Sequence, residues 1–372
     1  MAQGFSLKDQ LFNPETVGLL GDHFEKAGVF EAAPFTSDVL AQMGPLELKA
    51  RINWIAEVLV RYLPNNFPAA ADAILAALPP ALDRTKSDDD FGHFIYAPLG
   101  VVVETMGIAD HRDISLDLIA EITQRFSMEY SIRAFLNAHE AATLERMHDW
   151  VRHDSYHVRR LVSEGTRPKL PWGQGIGVNT AQALPLLDQL HADNTRFVTR
   201  SVANHLNDIS KKDPDAVIGR LSDWQTKDAQ TTPELSYMRR HALRGLVKAG
   251  HPAAMLHLGY RPDVGVTVTQ LTIAPNPIQI DETAAISFIV EAAEDAPLII
   301  DYVIDFVKAQ GKTSPKVFKC KQVSAKAGVP IIISKKHKFK GNATTFRLHP
   351  GAHRLHVQIN GKIAQTCDFA LH

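Results

Sequence analysis

Acidic residues paired with arginines at helical spacing are concentrated in the middle of the sequence. Glu164 follows Arg160 by four residues, and Glu129 precedes Arg133 by four. Residues four apart lie on one face of a helix, so each guanidinium can fix its carboxylate and keep it ionised. A fixed, ionised carboxylate can stabilise a positive charge that develops during a reaction. The same spacing also fits an ordinary exposed ion pair worth less than ~1 kcal/mol.

Further residues near these pairs could take part in the same chemistry. Asp208, in HLNDISKKDP, is a third candidate acid, although Asp near a helix end is often a cap. Trp172 stands in a loop rich in Pro and Gly, where its indole could pack against a sugar or a cationic ring, or dock onto the core. Trp150 and Asp154, also four apart, are a second-choice pair.

The sequence gives little reason to expect a metal or another cofactor. The spacing of His148, His153 and His157 could suggest a metal site, but no HExxH motif or Cys pair accompanies them. We interpret them as surface or phosphate-contacting residues and expect no metal and no cofactor. Cys320 and Cys367 lack CxxC spacing and are expected to be reduced, half-buried strand residues.

Charge is distributed unevenly along a chain whose formal net charge is only −1. Residues 1–124 carry 8 basic and 18 acidic side chains, whereas residues 306–372 carry 13 basic side chains and one acid, Asp368. Because charges act locally over about a Debye length, ~8 Å, a neutral chain can present a strongly positive face. The pattern favours binding to a polyanion, although a lysine-rich edge can also serve only to discourage strand aggregation.

The first part of the chain, to about Tyr260, has apolar residues at helical spacing and contains an internal repeat. Three segments align at a constant offset of 40 residues: His157–Glu164, Phe197–Asn204 and Tyr237–Arg244. Arg160, Arg200 and Arg240 fall in register, and Pro214 and Pro252 follow as helix-starting signals. A two-helix repeat of roughly 40 residues predicts a HEAT-like solenoid, with chance similarity among amphipathic helices as the alternative.

After Tyr260 the apolar pattern changes to the alternation typical of strands. The alternating segments are VTVTQLTIAPNPI, AAISFIVEA, APLIIDYVIDFV, VFKCKQV, TTFRLHP, HRLHVQI and AQTCDFAL. About seven short strands separated by turn signals predict an immunoglobulin-like β-sandwich without the Cys…Trp…Cys pattern of antibody domains. The predicted fold is therefore multidomain, with an all-α HEAT-like solenoid over residues 1–260 and a β-sandwich over residues 261–372.

One long motif carries a family resemblance. HVRRLVSEGTRPKLPW, preceded by FSMEYSIRAFL and followed by SVANHLNDISKKDP, resembles the alkylpurine DNA glycosylase C (AlkC) family of bacterial DNA alkylation repair glycosylases with HEAT-like repeats. The N-terminal FSLKDQLFNPETV and LELKARINWIAEVLVRYLP fit the opening of the same family, so the resemblance covers most of residues 1–260. The terminal sandwich resembles the Ig-like domain that some members carry.

The resemblance implies hydrolysis of the N-glycosidic bond to small methylated bases in DNA, such as 3-methyladenine and 3-methylcytosine. Such a base is already cationic and leaves easily, so the main demand is to stabilise the oxocarbenium-like sugar and to orient a water. Glu164 and Glu129 lie in the matching motifs and are the expected catalytic carboxylates, with Asp208 as a third. Trp172 is expected to contact the sugar or the base.

The expected partner is double-stranded DNA that contains alkylated bases, bound by a monomer in the cytoplasm. The candidate contacts to DNA, some of which serve solubility alone, are Trp172, Arg159, Arg160, Arg167, Lys169, Arg200, Lys336, Lys338 and Lys340. The N-terminus shows no signal peptide, and no apolar stretch reaches the ~18 residues of a membrane span. The rival hypothesis is a non-enzymatic HEAT-repeat scaffold for nucleic acid or protein, which would not require Glu129, Glu164 and Trp172 to open onto one groove.

Overall fold

A computed structural model describes residues 6–88, 90–309, 311–342 and 347–372. Helices form the first part of the chain and strands the second. The helices are α1 Leu7–Leu11, α2 Pro14–Lys26, α3 Ala32–Met43, α4 Leu48–Tyr62, α5 Phe67–Ala77, α6 Ala97–Gly107, α7 Arg112–Thr123, α8 Ser131–Ala138, α9 Glu140–Trp150, α10 Tyr156–Gly165, α11 Thr180–Leu190, α12 Arg196–Ile209, α13 Pro214–Lys227, α14 Thr232–Ala242, α15 Arg244–Lys248 and α16 Pro252–His257. Within the described residues, no helix is long and apolar enough to cross a membrane.

Successive helices of the 40-residue repeat pack against each other. α10 contacts α12, and α12 contacts α14. In α12 the residues Phe197, Val198, Val202 and Leu206 are buried at spacings of one, four and four, which form the apolar stripe that a stacked repeat requires. The predicted HEAT-like helical architecture is confirmed. The third aligned segment differs from the prediction, because Leu243 separates α14 from α15 and Arg244 therefore lies outside α14.

Local signals set where several helices begin. Asn13 and Asn179 each form a capping box, in which the side chain accepts a hydrogen bond from the backbone N–H three residues on and that residue's side chain accepts one in return. Pro214 and Pro252 stand at the first positions of α13 and α16, as the repeat predicted.

The strands form two antiparallel sheets. They are β1 Val266–Ala274, β2 Thr283–Ala292, β3 Ala296–Val307, β4 Thr313–Ala325, β5 Ile331–Lys338, β6 Gly351–Ile359 and β7 Lys362–Leu371. One sheet has the order β1-β2-β5 and the other β4-β3-β6-β7. A shared apolar core that includes Ile286, Phe288, Ile300, Ile304 and Phe369 lies between the sheets. The predicted Ig-like sandwich is confirmed.

Two of the predicted strand assignments need revision. β5 was absent from the alternating segments, because IIISKKHK begins with three consecutive apolar residues and shows no alternation at its start. In the segment TTFRLHP, Thr344 to Phe346 lie outside the described residues, and Arg347 to Pro350 form no strand.

The chain divides into two compact units. The first comprises the residues up to Ile209 together with Ser222–Ala242, and the second comprises Ser210–Leu221 with Leu243–His372. Within the second unit, Gly250 has a φ of +72°, and a Cβ at this position would come within 2.7 Å of the Gly361 carbonyl oxygen. This close approach, which only glycine permits, joins the turn before α16 to the turn between β6 and β7. The domain boundary between residues 260 and 261 stays a prediction.

Candidate active site

A cavity of about 440 Å³ in the first unit brings together several of the residues singled out from the sequence. Glu129, Glu164 and Trp172 all line it. We call it the acidic cavity. Its remaining lining residues are Phe91, Tyr130, Arg160, Arg167, Leu170, Pro171, Phe197, Arg200, Ser201 and Asn204.

Glu164 lies in the last turn of α10 and is held by two arginines. Its Oε1 is 3.5 Å from Nη2 of Arg160, and its Oε2 accepts a hydrogen bond of 2.9 Å from Nη1 of Arg167. Burial acts to raise the pKa of Glu164, but the two guanidiniums and hydrogen bonds from Arg167 and Ser201 outweigh it and lower that pKa below its ordinary value. The ion pair expected at i,i+4 is therefore present, and the carboxylate is ionised at neutral pH.

Glu129 reaches the same arginine from a different part of the chain. It precedes α8, and its Oε2 accepts hydrogen bonds of 3.1 Å from Nη1 of Arg160 and 3.1 Å from Oγ of Ser127. The expected helical pairing with Arg133 is wrong, because α8 begins only at Ser131 and the Arg133 guanidinium donates to backbone carbonyls.

Asp208, near the end of α12, extends this arrangement. Its Oδ2 accepts hydrogen bonds from Nε (3.0 Å) and Nη2 (2.7 Å) of Arg167. Arg167 therefore bridges two carboxylates, as Arg160 does. We call the resulting alternation the carboxylate–arginine chain; its members are Glu129, Arg160, Glu164, Arg167 and Asp208.

Buried neutral side chains lie next to the carboxylate–arginine chain. Oγ of Ser201 lies within hydrogen-bond distance, 2.9 Å, of Oγ of Ser163, and a ring nitrogen of His205 contacts the Ser163 carbonyl at 3.1 Å. Burial, followed by repulsion from Arg167, lowers the pKa of His205 to about 4, so this imidazole is neutral at physiological pH.

Arg133 holds the loop that follows α10. Its guanidinium, which is almost fully buried, donates to the carbonyls of Gln174 (2.6 Å), Gly165 (3.0 Å) and Arg167 (2.9 Å). Trp172 lies within this loop with 64% of its surface exposed and a φ of +64°, a conformation uncommon for a residue other than glycine. Arg133 therefore fixes the backbone on both sides of Trp172.

Aromatic rings line the cavity next to the charges. The Arg160 guanidinium lies 4.5 Å from the centre of the Phe197 ring, within the range of a cation–π contact. Burial, together with the charges of Glu129 and Glu164, raises the pKa of Tyr130 to about 12, so its hydroxyl keeps its proton. These rings give the cavity aromatic surface beside its charges.

The predicted DNA contacts lie in different environments. Arg159 is paired with Asp193 at 2.5 Å and donates to the carbonyls of His153 and Asp154. Arg200 contacts both carboxylate oxygens of Asp88, at 2.8 and 2.5 Å. Lys169 is exposed in the loop before Trp172.

The three lysines predicted to contact DNA from the sandwich alternate with buried residues. Lys336, Lys338 and Lys340 are exposed, whereas Phe339 between them is buried and His337 is partly buried. The three lysines therefore share one exposed face, although β5 ends at Lys338 and Lys340 lies just beyond it.

Other candidates do not join the acidic cavity. Trp150 is 5% exposed in the core, whereas the Asp154 side chain is exposed near Arg84. No cluster of three or more potential metal-ligating His, Cys, Asp or Glu residues occurs among the described residues. Cys320 and Cys367 are free thiols.

Sequence reasoning missed several residues of this cavity. Tyr130 and Phe197 gave no signal beyond being aromatic. Asp88, which does not line the cavity itself, approaches the lining residue Arg200 from a loop 112 positions away. Arg167 was assigned only to DNA, although its spacing of three residues from Glu164 could have suggested the ion pair.

The chain is similar to known proteins over most of its length. The family model described as "DNA alkylation repair enzyme" matches residues 125–246, and that of the C-terminal Ig-like domain of the uncharacterised protein YhaZ matches residues 267–372. YhaZ of Bacillus subtilis (strain 168) is 34% identical over 270 residues, covering 72% of this chain and 74% of YhaZ. The structure of alkylpurine DNA glycosylase AlkC from Pseudomonas fluorescens, bound to DNA containing an abasic site analogue, is 31% identical, with a TM-score of 0.88 over 99% of this chain and 100% of AlkC.

Proposed function

The chain belongs to the AlkC-type family of DNA alkylation repair glycosylases with HEAT-like repeats, and from this premise we propose that it removes cationic methylated bases from DNA. The bases would be of the 3-methyladenine and 3-methylcytosine class. The bond hydrolysed is the N-glycosidic bond, and double-stranded DNA is the partner of a monofunctional enzyme that acts as a monomer in the cytoplasm. The observation that carries the proposal is the carboxylate–arginine chain beside Trp172 in the acidic cavity.

The charge balance of this site favours a cationic substrate. In the carboxylate–arginine chain, three carboxylates stand against two guanidiniums, and Arg200, which also lines the cavity, is paired with Asp88. This cluster of mostly buried charges therefore keeps one net negative charge. When a methylated base leaves, its positive charge passes to the deoxyribose as an oxocarbenium-like ion. A preorganised carboxylate stabilises that ion more strongly in a site that excludes water than it could in bulk solvent.

The contacts of the two glutamates support different roles. Both oxygens of Glu164 face arginines and its side chain is 4% exposed, so it supplies a fixed negative field. Glu129 is 17% exposed, and within the described part of the chain its Oε1 has no hydrogen-bond or ion-pair partner. Glu129 is therefore the carboxylate that orients the attacking water. Asp208 acts through Arg167, which it holds against Glu164.

Release of methylated bases tests the proposal directly. Duplex DNA treated with a methylating agent is incubated with the protein, and the released bases are identified by mass spectrometry. We expect 3-methyladenine and 3-methylcytosine, and no uracil from a uracil-containing duplex, because the described lining of the cavity offers no strong general acid to an uncharged base. Failure to release any methylated base would overturn the proposal, and release of uracil at a comparable rate would overturn its mechanism.

A further inference from the structure

A second and larger cavity of the first unit has no part in the chemistry described above. Its volume is about 850 Å³, within the range of about 300–1,000 Å³ typical of small-molecule sites. We call it the side cavity. It is lined by Glu47, Leu48, Lys49, Ile52, Asn53, Phe94, Ala97, Val101, Glu104, Ser127, Met128, Tyr130, Ser131, Trp172, Gly173 and Gln174.

The side cavity shares part of its lining with the acidic cavity. Tyr130 and Trp172 line both, so these rings stand at the boundary between them. The backbone that carries the indole is held in place, because Arg133 donates to the carbonyl of Gln174 two residues further on. A planar group that moves from the acidic cavity into the side cavity would contact the aromatic residues Tyr130 and Trp172.

The chemical character of the side cavity suits a neutral heterocycle. Phe94, Val101 and Met128 give it apolar walls. The Glu104 carboxyl accepts a hydrogen bond from Ser131, and burial raises the pKa of Glu104. The Glu104 carboxyl oxygens can accept hydrogen bonds from the exocyclic amino group of a purine such as adenine.

The reaction produces such a heterocycle. When the bond between C1′ and the base nitrogen breaks, its electron pair goes to that nitrogen, so a base that was cationic in DNA leaves neutral. Water then adds to C1′ and releases its proton. The neutral base is then free to leave the acidic cavity past Tyr130 and Trp172, which line both cavities.

We propose that the side cavity binds the methylated base after its release, between the aromatic boundary and the Glu104 carboxyl. This inference rests on the proposed function, since only a glycosylase would supply the free base. It makes Glu104, which no part of the hydrolysis uses, a product-binding residue.

Binding of free 3-methyladenine to the full chain, measured by isothermal titration calorimetry without DNA, tests this inference. Glu104→Leu removes the polar partner, and Val101→Phe narrows the cavity from its apolar wall. We expect each to weaken binding by about tenfold, as for the loss of one buried hydrogen bond or an equivalent contact. Glu57→Gln, at an exposed position of α4, is the matched control and should bind as the wild type does.

Glu164→Gln separates the inference from the proposed function. This variant should lose excision and still bind the free base, since Glu164 lines only the acidic cavity. Thermal unfolding of every variant verifies that it is folded. If the wild type excises methylated bases but does not bind the free base, or if both side-cavity variants bind it unchanged, the inference fails and the proposed function stands. If no base is excised, both fail.

Discussion

At the scale of single residues, the site consists of charges that fix one another. Arg160 and Arg167 each contact two carboxylates, so moving one side chain disturbs the others. Interactions of this kind are not additive, and the loss of one member leaves a buried partner uncompensated. Substitutions that keep shape and remove only charge are therefore the informative ones.

Glu164→Gln should lower the single-turnover excision rate by roughly 10² or more, the effect of losing one preorganised electrostatic group. Binding to damaged duplex should persist or strengthen, because the substitution removes a negative charge that would repel the DNA phosphates. Glu129→Gln should behave similarly with a smaller loss. Rapid-quench kinetics with enzyme in excess provide the measurement, and an unchanged rate would remove Glu164 from the mechanism.

The dependence of excision on pH should be flat from about pH 5.5 to about pH 8. The guanidiniums keep the pKa of Glu164 below its ordinary value, and burial lowers the pKa of both His157 and His205 to about 4. Glu164 is therefore charged and both imidazoles are neutral throughout this range. A single-turnover rate that titrates near pH 6.5 would instead show that a histidine with an ordinary pKa takes part.

At the scale of elements, α8 controls the loop that carries Arg167 and Trp172, since Arg133 donates to three of its carbonyls. Arg133→Lys should slow excision at least about tenfold at temperatures where the variant is folded, because an ammonium cannot satisfy three separated carbonyls. Arg125→Lys is the matched control: Arg125 also donates to backbone carbonyls, those of Pro79 and Glu121. We expect Arg125→Lys to lower thermal stability and to leave the excision rate unchanged. Equal effects on excision would mean that Arg133 has only a structural role.

The acidic loop between α5 and α6 places Asp88 against Arg200, at the edge of the acidic cavity. A DNA phosphate would compete with this carboxylate for the same guanidinium. Asp88→Asn should therefore tighten binding to undamaged duplex and steepen the slope of log affinity against log salt by about 0.9, the value for one additional phosphate contact. Asp22→Asn, an equal charge change at an exposed position of α2, serves as the control. Identical binding by the two variants would contradict competition at Arg200.

The distinction between local and distant contacts explains what the sequence could predict. The pairing of Arg160 with Glu164 follows from helical spacing alone. Glu129 and Asp208, in contrast, meet their arginines across 31 and 41 positions, which no periodicity encodes. The helical repeat and six of the seven strands were likewise predictable, whereas β5, an edge strand with an unbroken apolar start, was not.

At the scale of the whole molecule, the excess of basic residues near the end of the sequence includes a row of exposed lysines in the second unit. Lys336, Lys338 and Lys340 should contact phosphates without reading bases. Replacing all three with alanine should weaken binding to damaged and undamaged duplex equally and reduce the salt slope by about 2.7 if three phosphates are involved. Filter binding at several salt concentrations measures both the affinity for each duplex and the salt slope.

Excision at saturating concentrations of this triple variant should change little, because the carboxylate–arginine chain belongs to the first unit. Unchanged affinity and salt slope would show that the lysines serve only to keep an exposed edge soluble.

The loop that presents Trp172 also gives the protein an intrinsic optical signal. Of the four tryptophans, Trp150 is 5% exposed, Trp224 is fully buried, and Trp54 is partly buried with its indole N–H bonded to the Val39 carbonyl. Trp172, at 64% exposure, should therefore dominate the red edge of the emission spectrum and the fraction quenched by acrylamide. Stacking against a nucleotide would shield it, so occupancy of the site can be followed in real time without any label.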